Sequence, residues 1–169
     1  IRNIKIADEL LCLNASHVHG ICDEIIARGL ALNIWAYSRT DTTKSLDLAK
    51  MKRAGFNWLA CGIEAGAATV RQGSDKALDD DDIRATLAKV RAAGIHVIAN
   101  FIFGLPGETR ETMQATLALA SELHCELSNF YVTMAYPGSP LYSATLRDRP
   151  QDLPPSWAGY SQLGAEALP

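Results

Sequence analysis

The chain has 169 residues, 48% of them hydrophobic, with 16 Lys plus Arg against 19 Asp plus Glu and a formal net charge of -3, the profile of one mildly acidic globular domain. At this length a compact fold buries roughly 70% of the surface its unfolded chain exposes, so a core forms without staples; Cys12, Cys22, Cys61 and Cys125 lie far apart, with no C-x-x-C and no zinc spacing, and are expected to be buried thiols of a reducing compartment. No apolar run reaches the roughly 18 residues of a membrane span and no signal-peptide pattern opens the chain, so a cytoplasmic protein is expected; no Lys/Arg stripe interleaved with aromatics marks a nucleic-acid surface, which leaves nucleic acid as a substrate open but unsupported.

The predicted elements alternate in a βα repeat. A strand covers Ile4–Ala7, and a helix follows from about Ala15 to Arg28, with Val18, Ile21, Cys22, Ile25 and Ile26 on one stripe and Asn14 or Ser16 as its cap. Strands are then predicted at Leu30–Tyr37, Phe56–Ile63, Ile95–Phe103 and Glu126–Met134. Helices fall at about Ser45–Arg53, Asp80–Ala92 and Thr109–His124. Gly29, Gly55 and Gly94 each stand between a helix and the next strand, where a left-handed helix cap is expected. After Tyr136, Pro137-Gly138-Ser139-Pro140 makes a turn into a short helix near Leu141–Arg147, and residues 150–169 are expected to form either a tail docked by Trp157 and Tyr160 or the start of a further segment.

Parallel strands with helical crossovers give either an open doubly wound sheet or a barrel. Here every strand ends in polar residues: Asp8 and Glu9, Arg39 and Asp41, Glu64, Gly104 through Glu108, and Tyr136. A barrel brings all such ends to one mouth, whereas an open sheet concentrates its site at one switch point. The expected fold is therefore α/β, a partial TIM-like (β/α) barrel over residues 1–149. The chain starts at Ile1, without Met and inside an alternating apolar run, which suggests a fragment truncated at its N-terminal side. The strand at Ile4 would then present an unpaired edge, covered by the tail or by self-association.

Two stretches could carry chemistry. In Asn100-Phe-Ile-Phe-Gly-Leu-Pro-Gly-Glu108 a strand runs into a glycine loop before a helix; its alternating side chains could support a flat apolar ligand, or it is an ordinary turn with Glu108 near a helix N-terminus. In Gly62-Ile-Glu-Ala-Gly66 a carboxylate at a strand tip is followed by Lys76; the two could hold a zwitterion, or be a capping acid and a solvated lysine. Likewise Asp8 and Glu9 could cap a helix, and Arg39 could simply pair with Asp41. His17 and His19 point to different helix faces and are discounted as metal ligands.

In order and spacing these segments resemble the S-adenosylmethionine radical superfamily, in the branch whose members often carry a cobalamin-binding domain. Ile4-Lys-Ile-Ala-Asp-Glu9 is similar to that family's second strand, Trp35-Ala-Tyr-Ser-Arg39 to its third, Gly62-Ile-Glu64 to its fourth, and Tyr136-Pro-Gly-Ser139 to its sixth-strand ending. Asn100-x-Ile102-x-Gly104-x-x-Glu108 is similar to the pattern G-x-I-x-G-x-x-E, departing at Asn100. The resemblance implies a 4Fe-4S cluster, an electron donor, reductive cleavage of S-adenosylmethionine to a 5′-deoxyadenosyl radical, and methyl transfer or rearrangement of a small-molecule substrate. It implies cofactor contacts at Asp8, Glu9, Arg39, Glu64, Lys76, Asn100, Ile102, Gly104, Glu108 and Tyr136. The C-x-x-x-C-x-x-C cluster loop is absent from these residues. Its cysteines would precede Ile1, so no metal ligand is expected within this sequence; a full-length enzyme is expected to supply the loop and this piece alone to be inactive. The competing expectation is a non-catalytic βα module that binds a small ligand or a partner protein.

Overall fold

A computed structural model of the chain describes residues 1–8, 11–72 and 79–161. Five parallel strands, β1 (Asn3–Ile6), β2 (Asn33–Arg39), β3 (Phe56–Glu64), β4 (His96–Phe103) and β5 (Leu127–Val132), form one sheet in the order β1-β2-β3-β4-β5. A doubly wound sheet reverses its order at a switch point, whereas sequential order adds each strand on the same side and curls the sheet. The result is a curled half-barrel, as expected. Its helices are α1 (Ala15–Ala27), α2 (Thr40–Thr43), α3 (Leu48–Arg53), α4 (Ala68–Gln72), α5 (Asp80–Ala92), α6 (Arg110–Leu123) and α7 (Pro140–Asp148).

The core lies between the sheet and the helices. Ile34 and Ala36 of β2, Phe56, Leu59 and Cys61 of β3, and Val97, Ala99 and Phe101 of β4 meet Val18 and Cys22 of α1, Met51 of α3, Ile83, Leu87 and Val90 of α5, and Leu119 of α6. Intervening strand residues, among them Trp35, Tyr37, Arg39, Trp58 and Asn100, are only partly buried and lie on the other, concave face. Polar caps start the helices: Asn14 accepts from the His17 amide at 3.2 Å, Asp47 from Lys50 at 2.8 Å and Asp79 from Asp82 at 2.6 Å.

Three strands, β2, β4 and β5, start later than the periodicity predicts, and helix closures account for the first two. Leu30 N–H donates to Ile25 and Gly29 N–H to Ile26, and the same double bond recurs from Ile95 to Val90 and from Gly94 to Arg91. These are Schellman closures, so Leu30 and Ile95 still belong to the helix ends. Gly55 has φ +99°, and a Cβ there would press on the Leu32 carbonyl, 3.0 Å from its carbon. The predicted helix Ser45–Arg53 is shortened to α3 from Leu48, because Asp47 caps its start, and the preceding turn α2 at Thr40–Thr43 is not among the predicted elements.

Among the described residues β1 pairs only with β2, and β5 only with β4. The described part of the tail does not reach β1: Tyr160 sits 6.5 Å from both Tyr136 and Tyr142, beyond β5, while Trp157 remains 79% exposed. No helix among the described residues is long and apolar enough to cross a membrane.

Candidate functional site

The C-terminal strand ends converge at one edge of the half-barrel. Strand register puts Arg39, Gly62, Asn100 and Asn129 level across β2, β3, β4 and β5, and the residues around this level are braced from behind.

At the end of β2, the Arg39 guanidinium donates two hydrogen bonds to the Asp41 carboxylate, at 3.0 and 2.7 Å. The pairing anticipated from sequence is thus formed. Hydrogen bonding from Arg39 holds the Asp41 carboxyl below its ordinary range; the same bonds raise Arg39, with Glu64 adding to the effect through its charge. The α2 turn laces this end together. Thr43 Oγ1 donates to the Arg39 carbonyl at 2.6 Å, and Thr40 Oγ1 donates across to the Gly62 carbonyl at 2.8 Å.

At the end of β3 the ladder is bulged between Gly62 and Glu64, and Glu64 has φ +70° while only 9% exposed. A non-glycine residue held in this region costs of order 1–3 kcal/mol and persists only where its surroundings impose it. They do so here. Arg71, 1% exposed, donates to the carbonyls of Ala65 (2.7 Å) and Gly66 (2.9 Å) and pairs with Asp80, while the Gly66 N–H donates to Thr116 Oγ1 at 2.9 Å.

On β4, Asn100 accepts from Asn129 Nδ2 at 3.1 Å, and Ile102 follows on the same face. Gly104, at φ +84°, donates its N–H to the Glu108 carboxylate, and the other carboxylate oxygen, Oε1, is buried without a hydrogen-bond partner among the described residues. Glu108 therefore closes the loop rather than capping α6, whose N-cap is Thr109. Beside Gly104 lies a cavity of about 200 Å³, lined also by Thr133, Met134, Ala135 and Leu141. Tyr136 lies just beyond, 45% exposed.

Asp8 is exposed after β1, whereas Glu9 and Lys76 lie outside the described residues. Ile1, ahead of which the cluster cysteines are expected, is fully exposed before β1, at the end of the sheet opposite the strand tips, and is not part of the site. Sequence reading missed Arg71, Thr116 and Asn129. The signal for Asn129 was an asparagine inside a strand, where that residue is disfavoured unless it has a polar task. Cys12, Cys22 and Cys61 are buried in the core, and burial pushes Cys61 up to about 12 and Cys22 up to about 11.

With this geometry in view, the family model for the radical SAM superfamily matches residues 24–120. An uncharacterized methyltransferase of Pyrococcus horikoshii is 28% identical over 142 residues, covering 84% of this chain and 31% of the relative. The anaerobic magnesium-protoporphyrin IX monomethyl ester cyclase of Cereibacter sphaeroides is 30% identical over 148 residues, covering 85% and 24%. In fold, the chain is similar to the radical S-adenosylmethionine methyltransferase TsrM of Kitasatospora setae, solved with cobalamin and a [4Fe-4S] cluster bound: TM-score 0.67 at 21% identity, over 78% of this chain and 26% of that one. The chain thus spans about a quarter to a third of the length of these proteins. Because the matched residues are more than half of it, the chain belongs to the radical SAM superfamily.

Proposed function

We propose that these strand ends form the S-adenosylmethionine-facing mouth of a radical enzyme, which cleaves that ligand reductively and uses the resulting 5′-deoxyadenosyl radical on a small-molecule substrate. Supporting this is the convergence at one edge of Arg39, Gly62, Glu64 and Asn100, all within the family match, with Asn129 beside them just beyond it. The 4Fe-4S cluster does not fit the residues present: Cys12, Cys22 and Cys61 are buried, and among the described residues no three His, Cys, Asp or Glu side chains could hold a metal ion. The cluster ligands belong to cysteines outside these residues, together with an electron donor and, as in TsrM, a cobalamin for methyl transfer.

What this chain contributes is binding and orientation. Glu64 offers a nearly buried carboxylate to the ligand's hydroxyl or ammonium donors, where a charge-assisted hydrogen bond is strong. Ile102 supports the adenine, and Gly104 lets backbone approach it. Asn100 and Asn129 supply amides at the same level. Asp8 and Glu9 serve the methionyl ammonium, Lys76 the carboxylate, and Tyr136 the rim. Arg39, held by Asp41, positions the strand end next to Glu64.

Calorimetric titration of the complete, anaerobically reconstituted enzyme tests this reading. Glu64→Gln and Lys76→Met should each weaken S-adenosylmethionine binding by about 1–3 kcal/mol and lower 5′-deoxyadenosine formation. Unchanged affinity in both variants rejects the site.

A further inference from the structure

The concave face carries a second set of side chains nearer the N-terminal ends of the strands. Register places Lys5, Trp35, Trp58 and His96 level across β1, β2, β3 and β4. All four retain exposure on the face opposite the core. Lys5 Nζ lies over the Trp35 ring, 4.5 Å from its centroid, and 5.4 Å from that of Tyr37. Trp35 meets Tyr37 edge-on at 4.6 Å, and Trp58 lies against His96 at 4.6 Å with 39° between planes.

Charge distinguishes this row from ordinary surface. Arg39 on the same face is taken by Asp41, whereas Lys5 pairs with no carboxylate among the described residues. Glu126, the acid near His96, is engaged by the Val97 N–H at 2.8 Å and by Arg91 at 3.7 Å. Neither indole N–H donates to a described residue, so the row offers aromatic faces, donors and one ammonium, with no acid to match it. Covering that ammonium with an apolar group would leave it desolvated and unpaired. An anion carried on a flat ring satisfies both the charge and the rings.

We propose that this row is the deep end of the substrate site and selects a planar aromatic or conjugated carboxylate, its ring against Trp35 and Trp58 and its carboxylate on Lys5 Nζ. The inference rests on the proposed reading in that the reacting part of such a substrate points toward the strand ends. Arg39 stands four residues beyond Trp35 on β2, roughly 13 Å at the usual rise per residue. A carboxylate anchored at Lys5 thus favours an extended conjugated substrate over a compact one.

The probes are 2-naphthoate, its neutral amide 2-naphthamide, and hexanoate, titrated calorimetrically into the full chain without S-adenosylmethionine. Naphthoate should bind at least about tenfold more tightly than the amide or hexanoate. Lys5→Met should reduce naphthoate to the amide's level without changing the amide, Lys5→Arg should restore the preference for the anion, and Trp58→Ala should weaken both aromatic probes. Thermal melts of each variant report folding. Equal binding of naphthoate and hexanoate, an unaffected Lys5→Met variant, or no naphthoate binding at millimolar concentration overturns the proposal. Because S-adenosylmethionine is absent, these failures are separate from a failure of the strand-end site.

Discussion

Replacing Gly66 by alanine tests whether the loop after β3 is held by close backbone contact. A Cβ at this position would press on the Ala115 carbonyl, 2.5 Å from its carbon, and would lie 2.6 Å from the Thr116 nitrogen. Both neighbours are helix backbone in α6, so no side-chain rotation relieves the clash. Overpacking of this kind costs about 1–3 kcal/mol. Moving the loop away from α6 also breaks the Gly66 N–H to Thr116 bond, worth about 1 kcal/mol. The sum, about 2–4 kcal/mol, should appear in urea denaturation as a lower midpoint at unchanged slope. Gly20→Ala is the matched control: it lies in α1 with nothing within 4 Å of the added Cβ, and should stabilise the chain by about 0.5–1 kcal/mol. The loop carries Glu64 in its left-handed conformation, so Gly66→Ala should also weaken S-adenosylmethionine binding in the complete enzyme. A loss of less than about 0.5 kcal/mol for Gly66→Ala, or equal effects of the two substitutions, refutes the close-contact account.

Arg71→Met should cost about 2–4 kcal/mol in the same denaturation, since it strips the donors from two loop carbonyls and leaves Asp80 without its buried partner. The Asp41 carboxyl ionises below its ordinary value because Arg39 donates to it. The stability it contributes is therefore full above the unfolded-state value, near pH 4, and is lost as pH falls through the folded one. Melts against pH should show that acid-side loss in the parent chain and less of it in Asp41→Asn. Anaerobic reconstitution of this 169-residue chain with iron and sulfide should give no cluster absorbance; a stoichiometric 4Fe-4S cluster on its buried cysteines would contradict the reading of the thiols. Native Cys61 and Cys22 should resist alkylation at pH 8 and react once the chain is unfolded, because burial disfavours both thiolates.

The alternation of strand and helix was legible because it is a local pattern. A buried parallel strand reads as a short apolar run and a covering helix as a stripe, and glycine marks each junction by the sign of φ it accepts. The boundaries were less legible for a related reason. Leu30 and Ile95 are apolar whether they start a strand or close a Schellman motif, and only the hydrogen bonds to Ile25 and Val90 separate the two roles. The break before α3 has the same origin: Asp47 is compatible with a helix interior, and the bond that Thr40 makes to Gly62 depends on a strand that is not adjacent in sequence.

The site divides along the same line. Of the proposed contacts, Glu64, Gly104 and Glu108 can be picked out from sequence because each sits at or shortly after a strand end within a short pattern. Arg71 was not, since its task is to satisfy two carbonyls five and six residues back and an acid nine residues on, and nothing in a valine-arginine-glutamine stretch distinguishes a buried clamp from a solvated cation. Burial decides the matter: a guanidinium 1% exposed must have its donors filled, and the loop carbonyls beside Glu64 fill them. The strained φ at Glu64 and the buried Arg71 therefore belong to one device, in which interactions behind the strand end hold a carboxylate at the mouth. Its parts come from β3, α4, α5 and α6, which is why a motif of three residues identifies the carboxylate but not what fixes it there.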